Sequence, residues 1–271
     1  MKTRTLLPRI AALSLACAAF PAFSEDKSQD EELARSLANP VASLISVPLQ
    51  YNYDENLGPG NAGSLSRLNI QPVIPFAFNE DWNLITRTIV PLMELNDVPV
   101  RGRSESGLGD TVASQFLSPA RPGQSGWIWG AGPVWLLPTA TDDLLGTGKW
   151  GVGPTAVALR QEGRLTAGIL FNHIWSFAGD SDRSHVNATL LQPFVAYILP
   201  TMTTIGMNTE STYDWSDDAW AVPVNVTVAQ LLKVRGQIFQ VQVGARYWLE
   251  STEQGAEDWG IRATLTFLFP K

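Results

Sequence analysis

The feature that most constrains this chain is a two-residue alternation of apolar and polar side chains, recurring from residue 43 to the C-terminus. Ser43, Ile45, Val47, Leu49, Tyr51 and Tyr53 share one phase, with Ser46, Gln50 and Asn52 in the other. Val222, Val224, Val226 and Val228 oppose Asn225 and Thr227. Phe239, Val241, Val243, Ala245 and Tyr247 oppose Gln240, Gln242 and Arg246. Ile261, Ala263, Leu265, Phe267 and Phe269 oppose Arg262, Thr264 and Thr266. Twelve such segments can be counted, at 43–53, 65–76, 82–94, 107–117, 126–137, 150–160, 164–176, 186–198, 203–214, 219–231, 237–249 and 258–269. Each is about ten residues long, enough for a tilted strand to cross a bilayer. Beyond the first 20 residues, no apolar run approaches the ~18–20 that a spanning helix needs. The pattern therefore predicts an all-β fold, a transmembrane antiparallel up-and-down β-barrel of about 12 strands with a short N-terminal helix.

Composition agrees with that class. Charged residues are 17% of the 271 and hydrophobic ones 45%, against about 25% charge in ordinary soluble domains. The apolar content excludes a disordered chain. Lys and Arg number 19 against 26 Asp and Glu, a net charge of −7 that a phosphate backbone would repel, so nucleic acid is excluded as a partner.

The connections give a second test. Those at 78–81, 161–163, 200–202 and 234–236 are tight, and 118–125 is longer. The alternate connections, at 54–63, 96–106, 139–149, 178–185 and 251–257, are longer and polar. Short periplasmic turns and long external loops are the rule for such barrels, which puts both termini in the periplasm. Aromatic residues give a third test. Tyr51, Tyr53, Trp135, Trp150, Trp175, Tyr213, Trp215, Trp220, Tyr247 and Trp259 fall near the long-loop ends, and Trp82, Phe116, Trp127, Tyr197, Phe239 and Phe269 near the short-turn ends. Two belts a strand length apart are what interfacial rings form.

Residues 1–24 read as a cleavable signal peptide. Lys2, Arg4 and Arg9 precede an apolar centre at 10–20, and small residues at 21–24 place cleavage before Glu25. Cys17 fits a lipoprotein signal poorly, and no other cysteine exists, so disulfides, thiol catalysis and cysteine metal sites drop out of the mature chain. Export together with a barrel implies the Gram-negative outer membrane, with its lipid and lipopolysaccharide and the barrel-assembly machinery as partners. Residues 25–42 form an N-terminal periplasmic segment ahead of the barrel at 43–271. There Ser28-Gln29-Asp30-Glu31 resembles a capping box opening a helix that runs to about Asn39 and stops at Pro40. It is read as a cap on the periplasmic end of the barrel, or alternatively as a plug inside the lumen.

Several runs are similar to one family. Leu37-Ala38-Asn39-Pro40-Val41-Ala42-Ser43-Leu44-Ile45-Ser46-Val47-Pro48 resembles the start of the bacterial outer-membrane transporters named for the meta-pathway of phenol degradation. The runs at 68–75, 107–110, 137–143, 211–215, 244–248 and 268–271 fit too. The resemblance spans nearly all of the mature chain and implies a barrel that passes hydrophobic or aromatic compounds. One departure is at the C-terminus, where Phe269 is followed by Pro270 and Lys271, and Thr264 stands where such barrels often carry Gly.

If the apolar phase faces lipid, the other phase lines the lumen. It carries Arg67, Asn69, Gln71, Arg87, Asp110, Asn172, Gln192, Asn208, Glu210, Asn225, Gln240, Gln242, Arg246 and Arg262. Two readings follow: a satisfied polar network that keeps the barrel shut, or a mixed-charge pore in which Arg67, Arg246 and Arg262 face Asp110 and Glu210. Pro48, Pro72, Pro91, Pro133, Pro154, Pro193 and Pro223 fall within strands, where each removes a ladder donor. They imply kinks or bulges, and at Pro133 and Pro154 a candidate lateral opening. Enzyme readings are weak. A barrel phospholipase needs His and Ser on one strand face, but His173 and Ser176 are three residues apart and so lie on opposite faces. An omptin-like protease would need the loop acids Asp142, Asp143, Asp180, Asp182, Asp217 and Asp218 with His185, and acidic loops more often bridge lipopolysaccharide. The sequence thus reads as a channel for small solutes, not an enzyme and without cofactor or metal. A non-conducting structural or adhesion barrel is the alternative from another class.

Overall fold

The computed structural model describes residues 27–58, 60–123 and 125–270. The expected signal peptide and Cys17 lie outside them. Helix α1 spans Lys27–Leu37. Twelve strands follow. They are β1 (Ile45–Leu57), β2 (Gly63–Ile70, continuing as Val73–Ala77), β3 (Trp82–Asn96) and β4 (Ser104–Leu108, continuing as Thr111–Pro119). Next come β5 (Trp127–Leu137), β6 (Lys149–Glu162), β7 (Leu165–Gly179) and β8 (Asn187–Ile198). The last four are β9 (Thr203–Thr209, continuing as Ser211–Asp214), β10 (Ala219–Val234), β11 (Gln237–Glu250) and β12 (Asp258–Phe269).

Each strand pairs antiparallel with the next, and β12 pairs with β1 from Ile45↔Phe269 to Asp54↔Gly260. The sheet therefore closes into a barrel with no edge left to pair with another chain. Each of the twelve expected segments overlaps one observed strand. Alternation decides which face points inward, and β12 shows it plainly. Gly260, Arg262, Thr264, Thr266 and Leu268 are buried, while the residues between them are half-buried or exposed. Trp129, Trp135, Trp150, Ile169, Trp175, Met207, Val243, Trp259 and Ile261 project outward from the wall. In water such a surface would be a large apolar patch; in a bilayer it is solvated. The tight turns use backbones suited to two-residue hairpins. Arg235 and Gly236 both have positive φ, between the paired Val234 and Gln237, as a type I′ turn requires.

Prolines interrupt the wall. Pro72 lies between the two parts of β2, and the β10–β11 register shifts between Val222 and Pro223. Pro133 and Pro154 face one another across β5 and β6. At Pro133 the β4–β5 ladder lapses between Ser114↔Val134 and Leu117↔Ala131. At Pro154 the β6–β7 ladder lapses between Val152↔Trp175 and Thr155↔Asn172. Glycine precedes both Pro133 and Pro154. A Cβ on Gly132 would lie 2.1 Å from the Gln115 carbonyl oxygen, and one on Gly153 would lie 1.7 Å from that of His173. The glycine Cα–H therefore points at the neighbouring strand's acceptor where an N–H is missing.

Three apolar clusters fill parts of the interior. At the short-turn end, Leu33 and Leu37 of α1 and Leu44 pack on the inward side chains of Leu231, Ile238 and Leu268. One level higher, Val41 packs into a cluster formed by Ile85, Phe116, Val157, Leu159 and Leu170. At the long-loop end, Leu145 packs with Leu57, Leu65, Leu95, Val98 and Ala256. The N-terminal segment is thus inserted between the strand walls. It is held there by an Arg164–Glu31 ion pair at 3.2 Å and by Gln161 Nε2 donating to the Arg35 carbonyl at 2.8 Å.

Candidate functional site: the lumen and its arginine cluster

Above the N-terminal segment, four arginines converge. Arg262 on β12 donates from Nη1 and Nη2 to both carboxylate oxygens of Glu210, at 2.9 and 2.8 Å, and from Nε to Asn52 Oδ1 at 2.7 Å. Such bidentate, charge-assisted bonds are the strong class. Arg246 on β11 bridges the two acids, with Nε 3.1 Å from Asp54 Oδ1 and Nη1 3.5 Å from Glu210 Oε2. Its guanidinium also lies 4.6 Å from the Trp248 ring centroid. Trp248 Nε1 donates to Asp54 Oδ1 at 2.9 Å. Arg246, Arg262 and Asp54 are each buried, so these charges lean on one another rather than on water.

Local irregularity aims the central acid. Glu210 occupies the break between the two parts of β9, opposite the register shift at Pro223, and its N–H donates to the Pro223 carbonyl at 3.3 Å. Interruptions of this kind re-aim side chains beside functional sites.

The other two arginines have no carboxylate within 4.0 Å among the described residues. Arg87 Nη2 donates to Gln71 Oε1 at 2.9 Å. Arg67 Nε is buried with no hydrogen-bond partner, although its charge lies in the field of Asp54 and Glu210. The cluster therefore holds two more cations than anions.

Between this cluster and the N-terminal segment lies a cavity of about 280 Å³. Gln71, Arg87, Gln192, Asn208, Gln240 and Gln242 are among its polar lining, and Val73, Leu170 and Phe194 among its apolar lining. Asn225 donates to Asn208 Oδ1 at 2.8 Å, and Gln242 to Thr227 Oγ1 at 3.2 Å. Asn69 Oδ1 is buried with no partner among the described residues. Asp110 stands apart from the arginines. Its Oδ1 accepts from Ala140 N at 3.2 Å, and its Oδ2 from Thr147 N and Oγ1 at 2.6 and 2.7 Å. It thus fixes the 138–148 connection, which Arg183 also grips by donating to the Asp143 and Gly146 carbonyls at 2.8 and 2.5 Å. Replacing Asp110 with Ala removes three hydrogen bonds and should free this connection, destabilising the protein by about 1–3 kcal/mol. Limited proteolysis should then cut within 138–148; an uncut connection would mean that Arg183 and Leu145 hold it alone.

Asp54, Asn52 and Trp248 complete the cluster but were not among the expected lumen residues. The signal for Asp54 was present, since it continues the phase of Ser46, Gln50 and Asn52 by one more step. His173 lies on the outer face, where Nδ1 is 2.7 Å from Thr189 Oγ1 and the ring centroid is 4.0 Å from that of Trp175, the planes tilted by 53°. Ser176 is instead 3.3 Å from His185 Nδ1, so no His–Ser pair shares one strand face at His173.

No protein-family model matches the chain, and no curated protein matches it. Solved structures do. The chain is similar to porin NanC (13% identity, TM-score 0.48, 82% of this chain and 98% of that one) and to outer membrane phospholipase A from Escherichia coli (9%, 0.48, 89% and 98%). Its similarity to an outer membrane channel from Pseudomonas putida F1 is greater in fold: 16% identity, TM-score 0.65, covering 84% of this chain and 96% of that chain. The chain thus shares the fold of an outer-membrane β-barrel channel.

Proposed function

We propose that the protein is an outer-membrane channel through which small hydrophobic or aromatic compounds pass without energy input. The observation that carries this reading is the cavity of about 280 Å³ inside the barrel, whose lining mixes the apolar Val73, Leu170 and Phe194 with polar side chains. A barrel serving only as a scaffold or adhesin gains nothing from an unfilled interior, since voids forfeit packing. The inserted N-terminal segment at one end and the 138–148 connection at the other narrow the path, and both are tied by side-chain bonds that can be released. Uptake of a labelled monocyclic aromatic by cells with an intact lipopolysaccharide leaflet tests the reading. Cells carrying the protein should take it up several-fold faster than cells lacking it. Equal rates, with the protein folded in the membrane, would contradict the channel and favour the scaffold.

A lateral exit is a second reading, favoured by the ladder lapses that flank the β5–β6 pair at Pro133 and Pro154. Both prolines are exposed on the outer face. Restoring the donors with Pro133→Ala and Pro154→Ala should slow uptake of apolar solutes while leaving ionic current unchanged. Unchanged uptake would leave the axial path alone.

A further inference from the structure

We infer that the lumen cavity is a binding site for a small amphipathic carboxylate, with its anionic head on Arg87 and its apolar body against Leu170 and Phe194. The inference rests on the reading of the lumen as a solute path and names the chemistry that path would select.

Three observations carry it. Arg87 lines the cavity, and among the described residues its only hydrogen bond is the one to Gln71, which leaves donors for a ligand. Arg67, outside the lining, adds a second positive charge to the cluster, with no hydrogen-bond or ion-pair partner among the described residues. Glu210 acts on both only at a distance and bonds to neither, because Arg262 holds both of its oxygens and Arg246 leans on one of them. Half-buried cations with no anion in contact gain from one that pairs with them directly. A carboxylate fits the planar guanidinium fork, which presents paired donors to two oxygens. Leu170 and Phe194 add apolar surface to the same lining, which a ring can cover and an inorganic anion cannot. A ring bearing one carboxylate meets both requirements, and a volume of about 280 Å³ accepts a single ring.

The test is equilibrium binding of benzoate, and of the isosteric neutral benzamide, to the full chain expressed in cells and extracted from membranes in detergent. Benzoate should bind at least tenfold more tightly than benzamide, and Arg87→Met should remove that preference. The wild-type comparison of the two ligands stands even where the variant does not fold. Equal binding of the two ligands, or no benzoate binding at millimolar concentration, would overturn the inference. Aromatic uptake by the same cells reports separately on the channel, so loss of carboxylate selectivity with intact uptake removes this site alone.

Discussion

Replacing Glu210 with Ala should lower the unfolding free energy by about 3 kcal/mol, the usual cost of removing one partner from a buried ion pair. The side chain supplies two of the three acceptors for Arg262 and one for Arg246, whose side chains are 3% and 5% exposed. Without it, four arginines would face Asp54 as the one remaining acid of the cluster. Urea unfolding followed by tryptophan fluorescence measures the change. A loss under about 1 kcal/mol would mean that lumen water already screens these charges. The double variant Glu210→Ala, Arg262→Met should recover part of the loss, because it removes the orphaned charge as well as its partner. Ionic current, where present, should shift toward anions in the single variant, since the cluster's excess positive charge rises by one.

Deleting residues 27–42 should make the barrel leaky. The deletion takes away Leu33, Leu37 and Val41, and with them the ties through Glu31 and the Arg35 carbonyl. What remains at the short-turn end is Leu44 with the inward Leu231, Ile238 and Leu268. Proteoliposomes carrying the deletion should swell in small sugars about tenfold faster than those with the whole chain, a change set by removal of a constriction rather than by new chemistry. The single substitution Val41→Asp should act in the same direction more weakly, because a carboxylate cannot stay among Ile85, Phe116 and Leu159. Equal swelling for all three would show that the N-terminal segment does not limit passage.

Where one strand face was polar and the other apolar, the sequence could be read almost residue by residue. Strands β10 to β12 follow that rule, and Asn225, Gln242, Arg246 and Arg262 stand on the inner face as their phase requires. Legibility failed where both faces are apolar. Ile85, Phe116, Val157, Leu159 and Leu170 are buried inside the barrel, yet Leu84, Leu117, Ala158 and Ile169 beside them on the outer face are apolar too, so the alternation there is weak. This hid the apolar lining of the cavity and the seat for Val41. The same gap left open whether α1 caps the end or enters it, since the acceptor surface inside could not be seen. Asp54 was missed because a charged residue next to a polar loop reads as the loop's start. The role of Asp110 depends on how the 138–148 connection folds back, and tertiary contacts between Leu145 and Leu57, Leu65 and Leu95 decide that rather than local propensity. The breaks at Gln71-Pro72 and Glu210 show that interruptions in alternation mark positions where a strand turns a side chain toward the lumen cluster.

Single-channel recording in planar bilayers tests most directly the claim that a solute path runs through the barrel and is narrowed by the N-terminal segment. The full chain should give small, discrete ohmic steps, and the protein lacking residues 27–42 should give larger steps in the same lipid. Silence from both proteins, each folded and heat-modifiable, would contradict a passage through the lumen.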